Sequence, residues 1–156
     1  MEILTNYPLW AAALGMFIAQ IIKIPIRLLL TREFIPSLAL SSGGMPSSHS
    51  SAVAALTTGV ALTEGVGSTL FAAVCVFSII IMYDSSGVRR QSGNQAILLN
   101  QLIRDFQAFS QRSKDEASQD YEKLKTLKEI LGHEPIEVFF GALLGIVIAF
   151  LLFPLY

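Results

Sequence analysis

The chain holds two histidines, and each stands just ahead of an apolar run. His49 lies in Gly43-Gly44-Met45-Pro46-Ser47-Ser48-His49-Ser50, and His133 in Leu131-Gly132-His133-Glu134-Pro135-Ile136-Glu137. Lys23 and Arg27 follow the first apolar run, and Asp84 with Arg89-Arg90 follows the third. These are the residue types that handle a phosphate. Glycines and serines ahead of a helix leave backbone N–H groups free to point at an anion, and the helix dipole adds to the attraction. Lys and Arg complete an oxyanion clamp, with Arg offering bidentate geometry. One imidazole can attack phosphorus while the other protonates the departing oxygen. A carboxylate near the attacking ring would fix its tautomer and support the positive charge it gains. The scheme calls for no metal and no cofactor.

The same residues have structural uses. Pro46 suits a first helical turn and Ser47 or Ser48 a helix cap. Pro135 marks the first turn of the last helix, which places Glu137 near N3, where a carboxylate stabilises the N-terminus without any substrate. Lys23, Arg27 and Arg32 can snorkel to lipid headgroups, and Asp84 can pair with Arg89-Arg90 to close the third helix. His49 is harder to assign to structure alone, because an ionisable group at a membrane helix end points to function.

The elements that position these groups are apolar. Of 156 residues 53% are hydrophobic, gathered into blocks at 8–22 (continuing past Lys23 to 30), 51–63, 69–83 and 136–156. Crossing the hydrocarbon core takes about 20 helical residues. The last block meets this unaided, and the two middle ones must recruit their polar flanks. Pro25 predicts a kink or break in the first span. The start lacks the basic region and cleavage site of a signal peptide, so the first block is expected to stay in the protein. Cys75 sits inside an apolar run without activating cations and reads as packing.

Between the third and fourth blocks lies a polar insert, 84–134. Ala96, Leu99, Ile103 and Phe106 at helical spacing predict an amphipathic helix over 94–109, lying on the membrane surface. A polar stretch at 110–120 separates it from a second helix over 121–131, ending at Gly132. Gly141 and Gly145 form a G-x-x-x-G that suits close packing inside the fold or across a homodimer. The expected fold is an all-α integral membrane protein, one domain over 1–156, with four transmembrane helices and two helices in the cytoplasmic insert.

Orientation follows from charge. All eleven Lys and Arg residues fall after the first span (Lys23, Arg27, Arg32) or after the third (Arg89 to Lys128). By the positive-inside rule both loops are cytoplasmic and both termini outside, an asymmetry hidden by the net charge of −1. The expected location is the bacterial plasma membrane.

Three strings, G-G-M-P-S-S-H-S-S-A, Y-D-S-S-G-V-R-R-Q-S-G-N-Q-A and L-G-H-E-P-I-E-V-F-F-G, closely resemble the divergent branch of the type 2 phosphatidic acid phosphatase superfamily, related to acid phosphatases and vanadium haloperoxidases. The resemblance runs over about 20–145. It implies that His133 forms a phosphohistidine with Glu137 as its carboxylate partner. It further implies that His49 is the acid to the leaving group and that Lys23 binds phosphate, with Arg27, Ser47 and Ser48 beside it. The chain departs from the parent pattern in four places. Arg27 stands too near Lys23 and lacks a following proline, Ser48 replaces a glycine, and Glu137 replaces an aspartate. Leu127 occupies the position of the third-motif arginine, so Lys128, Arg89 or Arg90 would have to serve, with Asp84 in support. The implied activity is metal-independent hydrolysis of a lipid phosphate or isoprenoid pyrophosphate at the cytoplasmic face. A non-catalytic scaffold that binds, transports or scrambles an anionic lipid is the alternative. The expected partners are the bilayer and its lipid phosphates, with a homodimer through the last helix and no nucleic acid.

Overall fold

The structure, a computed structural model, describes residues 2–32, 44–112 and 134–156. Among the described residues it is all-helical: α1 (Tyr7–Thr31), α2 (Ser48–Glu64), α3 (Thr69–Ser86), α4 (Val88–Arg112) and α5 (Pro135–Leu152), with short 3-10 turns at Glu2–Thr5 and Phe153–Leu155. The expected helix over 121–131 and the segment 33–43 lie outside the described residues.

The bundle is organised by small residues at four-residue spacing. Along α1, Tyr7, Ala11, Gly15, Ala19 and Lys23 form a single stripe, all buried. On α2 the matching stripe is Ser47, Ser51, Ala55 and Gly59, and on α5 it is Gly141, Gly145 and Ala149. Side chains this small let helix backbones approach closely, which is how helices associate where lipid competes for large apolar surfaces. Gly15 lies against Ser51 and Ala55, and Gly59 against Pro8, so α1 and α2 run antiparallel. Gly141 meets Ser47 and Gly145 meets Ser51 and Ala55, so α5 runs parallel to α2. The G-x-x-x-G of α5 is therefore buried inside the chain.

α2 is the innermost helix, touching α1, α5 and α3. Its hydroxyls are satisfied locally or across the interface. Thr57 and Thr58 donate to Val53 O and Ala54 O at 2.8 Å, and Ser51 Oγ donates to Gly15 O at 2.9 Å. Thr57 Oγ1 and Ser78 Oγ on α3 are 2.7 Å apart. The large apolar residues point the other way: Val76, Phe77, Ile79 and Ile80 on α3 and Phe139, Phe150 and Leu151 on α5 are exposed. Such an inside-out distribution suits a hydrocarbon solvent.

Three stretches are long and apolar enough to cross a membrane: Tyr7–Leu29, Thr69–Phe106 and Pro135–Leu155. The expectation was four. The 51–63 block grows into a 17-residue helix, but serines and threonines make up much of it because its neighbours are protein. Pro25 does not break α1, which runs through it to Thr31. The amphipathic helix of the insert also begins earlier than expected, at Val88, with Gly87 alone between it and α3.

Candidate functional site

Antiparallel α1, α2 and α3 with parallel α5 bring four helix ends to one level: the C-terminal ends of α1 and α3 and the N-terminal ends of α2 and α5. Lys23 marks where the stripe of α1 reaches this level. It is fully buried, the largest side chain to be so among the described residues. Burial follows from register, since Lys23 continues the row of Ala11, Gly15 and Ala19 that faces α2 and α5. A lysine in that position requires a counter-charge. Glu137, half-buried in the first turn of α5, exerts that field on it.

Ser47 and Glu137 are joined through their backbones, Ser47 N donating to Glu137 O at 3.0 Å. The Glu137 carboxylate in turn accepts from Glu134 N at 3.2 Å, as an N3 carboxylate does in a capping box. Ser47 is the N-cap of α2, its Oγ accepting from Ser50 N at 3.3 Å and from Ser50 Oγ at 3.0 Å. Ser47, Ser48 and Ser50 are all buried. His49, one residue into α2, is half-buried, and the helix N-terminus it flanks points its positive end to this level.

The structure thus brings Lys23, Ser47 and Glu137 to the junction of α1, α2 and α5, with Ser48 next to Ser47, while His49 stands at the same level on the row of α2 that continues through Val53 and Thr57 toward α3. Asp84 is half-buried in the last turn of α3, on the same side of the bundle. Arg27, one turn beyond Lys23, is exposed where α1 leaves the bundle. Arg89 and Arg90 lie in the first turn of α4. His133 and Lys128 lie outside the described residues.

One residue escaped the sequence reading. Gln20, a turn before Lys23, has a buried Oε1 with no hydrogen-bond donor among the described residues. Buried acceptors are rarely left so, which makes Gln20 a candidate contact for a ligand hydroxyl. Its signal was a lone amide inside the apolar block 8–22.

The opposite end of the bundle is closed by aromatics. Tyr7 donates its hydroxyl to Ala149 O, and its ring meets Phe153 and Tyr156 at centroid distances of 5.5 and 5.2 Å. A cavity at this end, lined by Asn6, Tyr7, Thr63, Glu64 and Tyr156, holds a carboxylate and, among the described residues, no cation.

These features define a small helical membrane protein with a cationic, serine-lined end built from helix termini. The chain belongs to the Divergent PAP2 family, whose pattern matches residues 4–148. It is 50% identical over 153 residues to the "Uncharacterized membrane protein YuiD" of Bacillus subtilis (strain 168), an alignment spanning 97% of each chain. No solved structure matches it.

Proposed function

We propose that this protein hydrolyses a lipid phosphate or isoprenoid pyrophosphate at the cytoplasmic membrane face, without a metal, through a phosphohistidine on His133. The observation that carries the proposal is Lys23, buried where α2 and α5 begin, at the level of His49. In this scheme Lys23 draws the phosphate to the helix termini and His133 attacks phosphorus. His49 protonates the leaving oxygen, and water then releases phosphate from the histidine. Arg27, Arg89 and Arg90 supply the remaining positive charge. Membership of the Divergent PAP2 family supports a phosphatase reading.

The test is phosphate release from diacylglycerol phosphate and isoprenoid pyrophosphate by wild type, His49→Ala and His133→Ala in nanodiscs containing chelator. Turnover in wild type is expected, lost at least about a hundredfold in both variants, with ³²P from labelled substrate trapped on a histidine in wild type after an alkaline detergent quench, in a form stable to base and labile to acid. No turnover by folded wild type would sink the hydrolytic reading.

One observation favours the alternative of binding or moving an anionic lipid without cleaving it. The Glu137 carboxylate, assigned to the attacking histidine, is held by Glu134 N and acts on Lys23. In that reading Lys23 and the α2 N-terminus bind the headgroup, and no covalent step follows.

Both readings place α2 as a fourth crossing, with both termini outside and the basic segments in the cytoplasm of a bacterial plasma membrane. In a Cys75→Ser background, Val66→Cys in the α2–α3 turn should react with an impermeant maleimide in intact cells. Arg32→Cys should react only after permeabilisation, and the reverse pattern would invert the topology. A homodimer through α5, if formed, would use the face of Phe139, Ile146 and Phe150, because the glycine face is occupied by α2.

A further inference from the structure

Beside the polar end, α1 and α5 part to leave a groove of about 280 Å³. Ile22 and Ile26 form one wall, Phe140, Leu143 and Val147 the other, and Pro46 closes one end. The lining is almost wholly apolar. From Phe140 to Val147 it follows roughly 10 Å of helix. Both walls belong to candidate membrane spans, so the groove opens toward hydrocarbon.

The groove and the polar cluster share their residues' neighbours. Ile22 and Ile26 bracket Lys23 on α1, and Pro46 precedes Ser47, whose N–H is bound to Glu137 O. On α5 the wall formed by Phe140, Leu143 and Val147 lies next to the Gly141–Gly145 stripe that meets Ser47 and Ser51. A phosphate at Lys23 and the start of α2 would therefore have an apolar channel leading away from it between two membrane helices. Among the described residues the exposed apolar face of α3, with Val76, Phe77, Ile79 and Ile80, adjoins no buried cation.

We infer that this groove holds one hydrocarbon chain of the lipid whose phosphate sits at Lys23 and the start of α2, so that the substrate reaches the site sideways from the bilayer between α1 and α5. The inference rests on the phosphate-lipid reading of the polar end, and it holds whether that lipid is cleaved or only bound. A ligand with a headgroup phosphate and at least one long chain is then preferred over both a free phosphate and an uncharged lipid. The headgroup is selected by charge, and the chain by the width between Ile26 and Leu143.

The experiment uses the full chain in nanodiscs with a phosphatidic acid carrying a diazirine in one acyl chain, and a diacylglycerol carrying the same chain as control. With the phosphatidic acid probe, cross-links should concentrate on peptides holding Ile22, Ile26, Leu143 and Val147. Excess unlabelled phosphatidic acid should compete them away, and diacylglycerol or inorganic phosphate should not. Leu143→Trp and Ile26→Trp, narrowing the groove from opposite walls, should each lower this labelling at least fivefold. Labelling spread evenly over α3 and α5, equal for the two probes, would show annular lipid only and overturn the proposal. The wild-type pattern decides this even if a tryptophan variant does not fold. The two readings fail separately. Groove labelling without phosphate release leaves the groove standing and removes hydrolysis. Phosphate release that is unchanged in both folded tryptophan variants, without groove labelling, removes the groove and leaves hydrolysis.

Discussion

Gly145→Ala is expected to cost more than about 3 kcal/mol, and Gly145→Val to leave no folded protein. A Cβ at position 145 would overlap Ser51 O and lie 2.9 Å from Ala55 N and Ser51 C, so the obstacle is backbone of the central helix rather than a side chain that can rotate. Relief requires α5 to move away from α2, which would also pull Gly141 from Ser47 and strain the bond from Ser47 N to Glu137 O. The helix propensity gained on replacing glycine, about 1 kcal/mol, is too small to offset this. Gly141→Ala should follow closely, since its Cβ would overlap Ser47 O. Gly15→Ala should be much milder, with its nearest contacts at 3.2 Å. Thermal unfolding in a fixed detergent measures the order. A Gly145→Ala protein within 1 kcal/mol of wild type would mean that the close approach of α2 and α5 is not what holds the bundle.

The second large effect is expected at Lys23. Lys23→Met removes the buried ammonium and leaves Glu137 without its counter-charge. Breaking a buried pair by one partner costs about 3–5 kcal/mol, and the partial exposure of Glu137 brings the expectation down to about 2–3 kcal/mol. Lys23→Met together with Glu137→Gln should recover most of that stability, because neither side then buries a charge alone. Phosphatidic acid binding should stay lost in the double variant, since the headgroup needs the cation. Lys23→Arg should not substitute, the guanidinium being too broad for a row otherwise built of alanine and glycine. Unfolding and lipid binding measured on the same preparations separate the roles. A double variant that binds phosphatidic acid as wild type does would reduce Lys23 to a structural anchor.

The burial of Lys23 is not what the sequence reading expects, since a lysine at the end of an apolar block reads as a headgroup anchor; the pattern that carries the burial is the spacing of small residues. Ala11, Gly15, Ala19 and Lys23 stand four apart, as do Ser47, Ser51, Ala55 and Gly59, and that spacing selects the inner faces. Block hydropathy follows the large residues, which here face lipid, so it marks α1, α3 and α5 strongly and α2 weakly, because the serines and threonines of α2 serve protein neighbours. Local end chemistry is mostly legible because it is local: Ser47 caps α2 and Glu137 sits at N3 of α5 beside Pro135, but Pro46, expected in the first helical turn, lies ahead of the Ser47 cap. The Gly141–Gly145 pair was recognised as a close-packing motif, but its partner could not be, because nothing along the chain says that it meets α2 in parallel. The electrostatic influence of Glu137 on Lys23 is hidden for the same reason. It depends on two helices 114 positions apart meeting at one height.

The central place of α2 has a consequence for how the protein is made. Its hydroxyl-bearing stripe is complementary to α5, which is synthesised well after it. Until then α2 is a poor candidate for release into lipid alone. The short turn at Gly65–Ser68 couples it to the much more apolar α3, so the two should enter the translocon's lateral gate as one hairpin. The bundle then waits, half closed, until α5 arrives to supply its glycines. Closure of the core therefore depends on a segment made long after α1 and α2, and a chain cut short ahead of Pro135 should be degraded in the membrane rather than persist as a smaller version of the protein.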